Sequence, residues 1–309
     1  MTKISHTRKN SYAIVRSFVI FAVFMSVSFF LSESISKDVL TGLKFSVTVL
    51  LPSVFPFMVF SDFAANSFEF EKSKFLSRLF ERVFKINSCA ISAFFSGITG
   101  GFPVGAKNAI SLYQNGKISK DECERLMSFS NIASPAYTVS AVGIGMMSDF
   151  KIGLILYAVL IFSATATGFF IGINKSYIAF SDYNIRQNYS FVNSLKSSSV
   201  ASTNLVFFIS FFWGICGIIK SLPISDLIKT LLISFSEVGS AVSYISDLDI
   251  LSQKTKLALI AFSLSFSGLC VIVQSLALVP KKEISSKNCI KYKLLQGIVS
   301  FTIVLLLPI

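Results

Sequence analysis

The chain has 309 residues, 53% of them hydrophobic and only 14% charged, against about 25% charged in an ordinary soluble domain; its mean hydropathy is +0.69. The net charge of +12 sits mostly in short segments between apolar runs, as in cytoplasmic loops of membrane proteins, and there is no basic-aromatic module of the RNA-binding type, which excludes nucleic acid as a partner. The one histidine, His6, stands in a polar N-terminal tail, and the five cysteines form no CxxC pair. His-based metal sites and Ser-His or Cys-His catalysis are thereby excluded, and no cofactor is expected.

Several apolar runs reach ~18 residues, enough to span a hydrocarbon core as helix. After the basic residues 2–11, segment 12–31 predicts a first span. A signal peptide is the rival reading, but no small-x-small cleavage pattern follows, which favours an anchor with its N-terminus inside. Residues 39–65 predict a second span, interrupted by Pro52 and Pro56, each of which removes a backbone donor. Residues 69–86 read as an amphipathic helix, with Phe75, Leu76, Leu79, Phe80, Val83 and Phe84 on one stripe and basic residues on much of the rest. It suits either a lipid interface or a cytoplasmic loop.

Residues 88–106 are apolar but carry Gly97, Gly100, Gly101, Pro103 and Gly105, which predicts two half-helices meeting at a turn. Residues 107–130 are the most water-soluble stretch, and Ser119 followed by acidic residues predicts a capped helix running through Phe129. Residues 131–147 return to the membrane, broken at Pro135, Gly143 and Gly145. Further spans are predicted over 150–174, 198–220, 226–246 and 257–279, the last interrupted at Ser267-Gly268. A polar linker (175–197) and a basic loop (280–293) separate them, and 294–309 is the final apolar run.

Two halves of the chain look alike. DVLTGLKFSVTVLLPSVFPF precedes a Gly-rich break at Ser96-Gly97, and DLIKTLLISFSEVGSAVS precedes the break at Ser267-Gly268. Ile118-Ser119 with Cys123 matches Ile284-Ser285 with Cys289 at the same spacing. The expected fold is therefore an all-α polytopic membrane protein of two related halves with broken or re-entrant helices. Its parts are a tail and anchor (1–37), a first repeat (38–174), the linker (175–197) and a second repeat (198–309). Paired breaks in corresponding positions point to a transporter binding site. All four basic loops (66–87, 107–130, 175–197, 280–293) prefer the cytoplasm, which makes the halves parallel if both breaks are re-entrant.

A few polar residues stand out against the apolar background. Glu237 lies within LLISFSEVGSAVS, and a carboxylate at the midplane costs on the order of 3 kcal/mol, so it must face a cavity or a partner. Lys107 ends the Gly-rich segment, where it meets an anion or snorkels to the interface. Gln274, six residues past the second break, is a substrate ligand or a link between helices. Asn131 and Ser134 precede Pro135 and either cap a half-helix or line the path. Ser263, Ser265 and Ser267 line a polar route or pack helices closely. There is no P-loop, no acidic pair is evident in the apolar runs, and an enzyme is not expected.

The segments LLPSVFPFMVFSDF, SGITGGFPVGAKNAISLYQNGKISKDECERLMSFSNIASPAYTVSAVGIGM, FSEVGSAVS and SFSGLCVIVQSLAL resemble sporulation integral membrane proteins that carry the nucleoside-recognition (Gate) domain. The likeness is to the stage V type implicated in dipicolinic acid uptake and covers about residues 38–300. The GGFPVGAK block is its most specific part, and Ile132 stands where the family's motif reads a second Asn. The resemblance implies transport of a small anion, dipicolinate, from the mother cell across the outer forespore membrane, with related halves of inverted topology. By motif the candidate binding positions are Gly100, Gly101, Pro103, Gly105, Lys107, Asn131, Ser134, Pro135, Glu237, Ser267, Gly268 and Gln274. The expected partners are the anionic substrate and membrane lipid. A homo-oligomer and a second transporter in the inner forespore membrane are left open, as are a nucleoside or other metabolite permease and a non-transporting scaffold of spore assembly.

Overall fold

The computed structural model describes residues 22, 25, 26, 29, 32–68, 72–175, 190–279 and 284–308. Most of the predicted first span, most of the polar linker and the start of the last basic loop lie outside them. Lipid offers no partner to backbone N–H and C=O groups, so apolar segments must close their hydrogen bonds internally. The described residues accordingly form helices and turns with no strand. Five of these helices are long and apolar enough to cross a membrane, and the chain is an integral membrane protein.

The first long span runs without interruption from Ser32 to Ser67 as α1 (Ser32–Phe45), a π-helical turn (Ser46–Leu50) and α2 (Leu51–Ser67). The expected proline interruption is thus absent. The wider turn lies just before Pro52, which falls in the first turn of α2, and the helix continues through Pro56. The amphipathic segment is shorter than expected: α3 (Lys74–Leu79) and a π turn end at Lys85, whose φ is +52°. Its stripe is divided, with Phe80 and Phe84 buried in the core and Phe75 exposed.

Next come α4 (Ala90–Gly100) and α5 (Val104–Gln114). They form a re-entrant hairpin. Gly97 packs on Gly105, and the Cys89 thiol donates to Lys117 O, so both ends lie on one face. The helix runs through Ser96-Gly97, and the break falls five residues later, at Gly101–Pro103. α6 (Lys120–Ser130), an extended stretch and a π-helical segment (Ala136–Met146) then cross as a broken span, and α7 (Phe150–Gly172) returns. Gly143 meets Gly153 at one end of this pair, and Lys175 bridges to Asp121 at the other.

α6 also corrects the reading of 107–130 as a soluble link, because Glu122 through Ser130 are all buried. Its polar side chains are used internally. Glu122 closes a capping box with Ser119 and accepts the Asn87 N–H. Arg125 donates to the Phe84 and Lys85 carbonyls. Glu124 accepts from Ser285 N and Asn288 Nδ2.

α8 (Phe191–Ser221) begins well inside what reads as linker and packs antiparallel to the first span. Phe60 and Phe63 meet Phe191 at one end, and Asp38 meets Lys220 at the other. Segment 226–246 is not a span but a second hairpin, α9 (Asp226–Ser236) and α10 (Val238–Ser246), broken at Glu237. Tyr244 donates to Asp226, which brings both its ends to one face. α11 (Gln253–Phe266) and α12 (Gly268–Ala277) form the second broken span, interrupted at Ser267-Gly268 as the sequence predicts. α13 (Ser286–Leu306) absorbs the rest of the expected basic loop and completes the fold.

The element order is therefore long span, re-entrant hairpin, broken span, long span, given twice. The first hairpin enters from the face that holds Lys85, Lys117 and Lys175, and the second from the face that holds Asp149, Asp226 and Asp247. The halves are inverted, not parallel. The described ends of the basic loops nevertheless share one face, because the hairpin at Glu237 returns the chain to its side of entry. The Ile-Ser…Cys match joins α6 to α13, which hold different places in this order, although Ser119 and Ser285 both cap their helices.

Candidate functional site

Each hairpin tip rests against the break of the broken span that follows it. At the first tip, a Cβ added to Gly101 would stand 2.7 Å from Ser134 N. At the second, one added to Gly268 would stand 3.1 Å from Glu237 Cα. Both positions have positive φ (74° and 66°), which a residue without Cβ adopts at no steric cost. Both hairpin tips and both broken spans contribute to a small cavity of about 10 Å³. Its wall is formed by Phe102 of the first tip, Tyr137 of the first broken span, Glu237 and Gly239 of the second tip, and Gln274 of the second broken span. Leu50, Leu205 and Ile209 of the long spans close its sides.

Glu237 is 2% exposed. Its carboxylate caps α10, accepting the N–H groups of Gly239 at 2.9 Å and Ser240 at 2.6 Å, so the half-helix N-terminus expected to receive a substrate anion already holds an anion of the chain itself. The Trp213 indole N–H faces the same carboxylate without a hydrogen bond of normal geometry. Tyr137 Oη and Gln274 Nε2 are buried with no hydrogen-bond partner among the described residues. Buried polar groups are rarely left so. One carboxylate and two unused donors around one space form a candidate site for a small polar molecule.

The other expected site residues fall into two groups. Ser134 accepts Tyr137 N–H and leads into the π-helical half-span, with Pro135 as its N-cap. Gly101, Pro103, Ser134, Ser267 and Gly268 thus shape the tips and breaks. Gly100 packs on Ser61, and Gly105 on the Ser130 carbonyl. Lys107 stands apart from the cavity. It forms an ion pair of 2.6 Å with Asp62 of α2, whose side chain is fully buried, so this lysine ties the first hairpin to the first long span and is not among the cavity residues. Ser265 faces Ser163 of α7, which supports the packing reading of the serine face.

Sequence reasoning missed Tyr137, Trp213, Asp62 and Lys293. The last was assigned to a loop but is buried on α13. Its ammonium donates to Asn131 O, to Ser265 O at 3.2 Å and to Gln296 Oε1 at 3.1 Å. Asn131 Nδ2 donates to Ser275 Oγ of α12 at 3.0 Å, so Asn131 joins the two broken spans. The signal was present as helical spacing, since Cys289, Lys293, Gln296 and Ser300 share one buried face.

Among curated proteins, the chain is similar to the sporulation integral membrane protein YlbJ of Bacillus subtilis (strain 168), with 31% identity over 120 residues. The match covers 38% of this chain and 29% of that protein. No family model and no solved structure matches. Fold and comparison together describe an integral membrane protein with two inverted halves, partly similar to a sporulation membrane protein.

Proposed function

We propose that the chain is a membrane transporter that carries a small polar metabolite through the cavity between its hairpin tips. The observation that supports this reading is the pair of opposed hairpins converging on one buried, polar, carboxylate-bearing site. Each hairpin separates that site from one face, so displacing one or the other would open it alternately. A cavity of about 10 Å³ has room for roughly one water, so loading requires a tip to move.

The partial likeness to a sporulation membrane protein and the motif resemblance favour dipicolinate, carried from the mother cell across the outer forespore membrane. Tyr137, Gln274 and Trp213 would donate to its carboxylates, and Glu237 would take up a proton as the dianion enters and give it back on release, which a glutamine cannot do. On this reading the inner forespore membrane needs its own carrier, and the chain performs no chemistry on its cargo. Glu237 itself favours a second substrate class, because an ionised carboxylate repels a dianion but accepts from the hydroxyls and base N–H groups of a nucleoside.

Uptake into proteoliposomes of labelled dipicolinate and labelled uridine tests both. Dipicolinate uptake that uridine does not compete, and that Glu237→Gln abolishes in an inserted protein, is the expected result. Uridine uptake would replace the substrate. No uptake of either, with normal forespore dipicolinate in a strain lacking the protein, would sink the transporter reading in favour of a scaffold.

A further inference from the structure

Lys293 presents a problem that its surroundings answer. A lysine at 3% exposure carries a charge far from water, and such a charge needs compensation. No carboxylate pairs with it among the described residues. Its three acceptors are instead one amide oxygen, Gln296 Oε1, and two backbone carbonyls at helix ends. Asn131 caps the C-terminus of α6, and Ser265 lies in the last turn of α11.

Both ends are half-helix C-termini interrupted in mid-span, so their last carbonyls have no intrahelical partner. Each such end carries roughly −0.5 of a charge, and two of them balance one ammonium. An ammonium has three donors in a compact group, and three oxygens from three elements receive them. In transporters with broken helices, unwound carbonyls and half-helix C-termini are the groups that coordinate a coupling cation such as Na⁺.

We infer that Lys293 is a built-in cation: its ammonium fills a carbonyl-lined cation site between the two broken spans, so the protein assembles and works without sodium. The helix ends that a soluble ion would bridge are bridged by a side chain tethered to α13. The site is distinct from the cavity at Glu237, since Lys293, Ser265 and Gln296 do not line that cavity. The stability test below does not depend on the transporter reading; only the flux test does.

The measurement is thermal unfolding of the purified full chain in detergent, in sodium chloride and in N-methylglucamine chloride at equal ionic strength. The wild type should melt at the same temperature in both. Lys293→Met should melt several degrees lower and recover part of the difference in sodium, lithium or methylammonium, but not in N-methylglucamine. If the Met variant does not accumulate, Lys293→Gln carries the same comparison. A wild type stabilised by sodium would overturn the inference. So would a variant as stable as the wild type, or a loss of stability that no small cation restores. Flux in sodium-free proteoliposomes should equal flux in sodium, and sodium-dependent flux would also overturn it. Absence of all flux with sodium-indifferent melting would count against the transporter reading and leave the cation site standing.

Discussion

Gly268 lies directly against the backbone of Glu237. A Cβ added at Gly268 would stand 3.0 Å from Ser236 O and 3.1 Å from Glu237 Cα, at a φ of +66° that L side chains avoid. Neither obstacle is the movable end of a side chain. Gly268→Ala should therefore cost about 1–3 kcal/mol, read as a lower melting temperature. An unchanged melting temperature would mean that hairpin tip and break are not seated on each other.

Glu237 separates two roles that one substitution can distinguish. Glu237→Ala removes a cap that accepts two N–H groups and should cost about 1–2 kcal/mol. Glu237→Gln keeps one accepting oxygen and should retain most of the stability while losing transport. Equal stability losses in both variants, with flux intact, would make the residue a cap and nothing more.

The Asp62–Lys107 pair makes a different prediction. Lys107→Ala leaves a fully buried carboxylate without its ammonium and should cost about 3 kcal/mol. The double variant Lys107→Ala, Asp62→Ala should be more stable than Lys107→Ala alone. A thermodynamic cycle over the four proteins measures this coupling. Additive losses would show that the pair does not hold the hairpin to α2.

Glu124 joins the halves at the basic face through Ser285 N at 2.9 Å and Asn288 Nδ2 at 2.6 Å. Glu124→Ala orphans both donors and should cost about 1–3 kcal/mol. Faster hydrogen exchange at the start of α13 is the expected signature, with α7 unaffected.

Much of this architecture was legible where sequence chemistry is local. Ser119 announces its helix, the glycines around Pro103 announce the first hairpin, and Ser267-Gly268 announces the second broken span. The break at Glu237 was not legible. No proline marks it, Glu is not among the preferred capping residues, and SFSEVGS keeps a helical apolar pattern on both sides. Missing that hairpin displaced the repeat by one element and forced a choice between basic loops on one side and inverted halves, whereas the fold has both. Lys293 was hidden by its neighbours Lys287 and Lys291, and the pairing of Lys107 was not legible because its partner lies 45 residues earlier, beyond the reach of any local pattern.

The tethering of a cation to α13 also sets an order of assembly. The α6 C-terminus is synthesised 162 residues before the lysine that neutralises it. Until α13 has entered the bilayer, the ends of α6 and α11 lack the ammonium that bridges them, and the two broken spans are joined by Asn131 and Ser275 without it. The ribosome thus delivers the clasp of the two broken spans after nearly everything it fastens, and premature release of the chain would leave those spans without it.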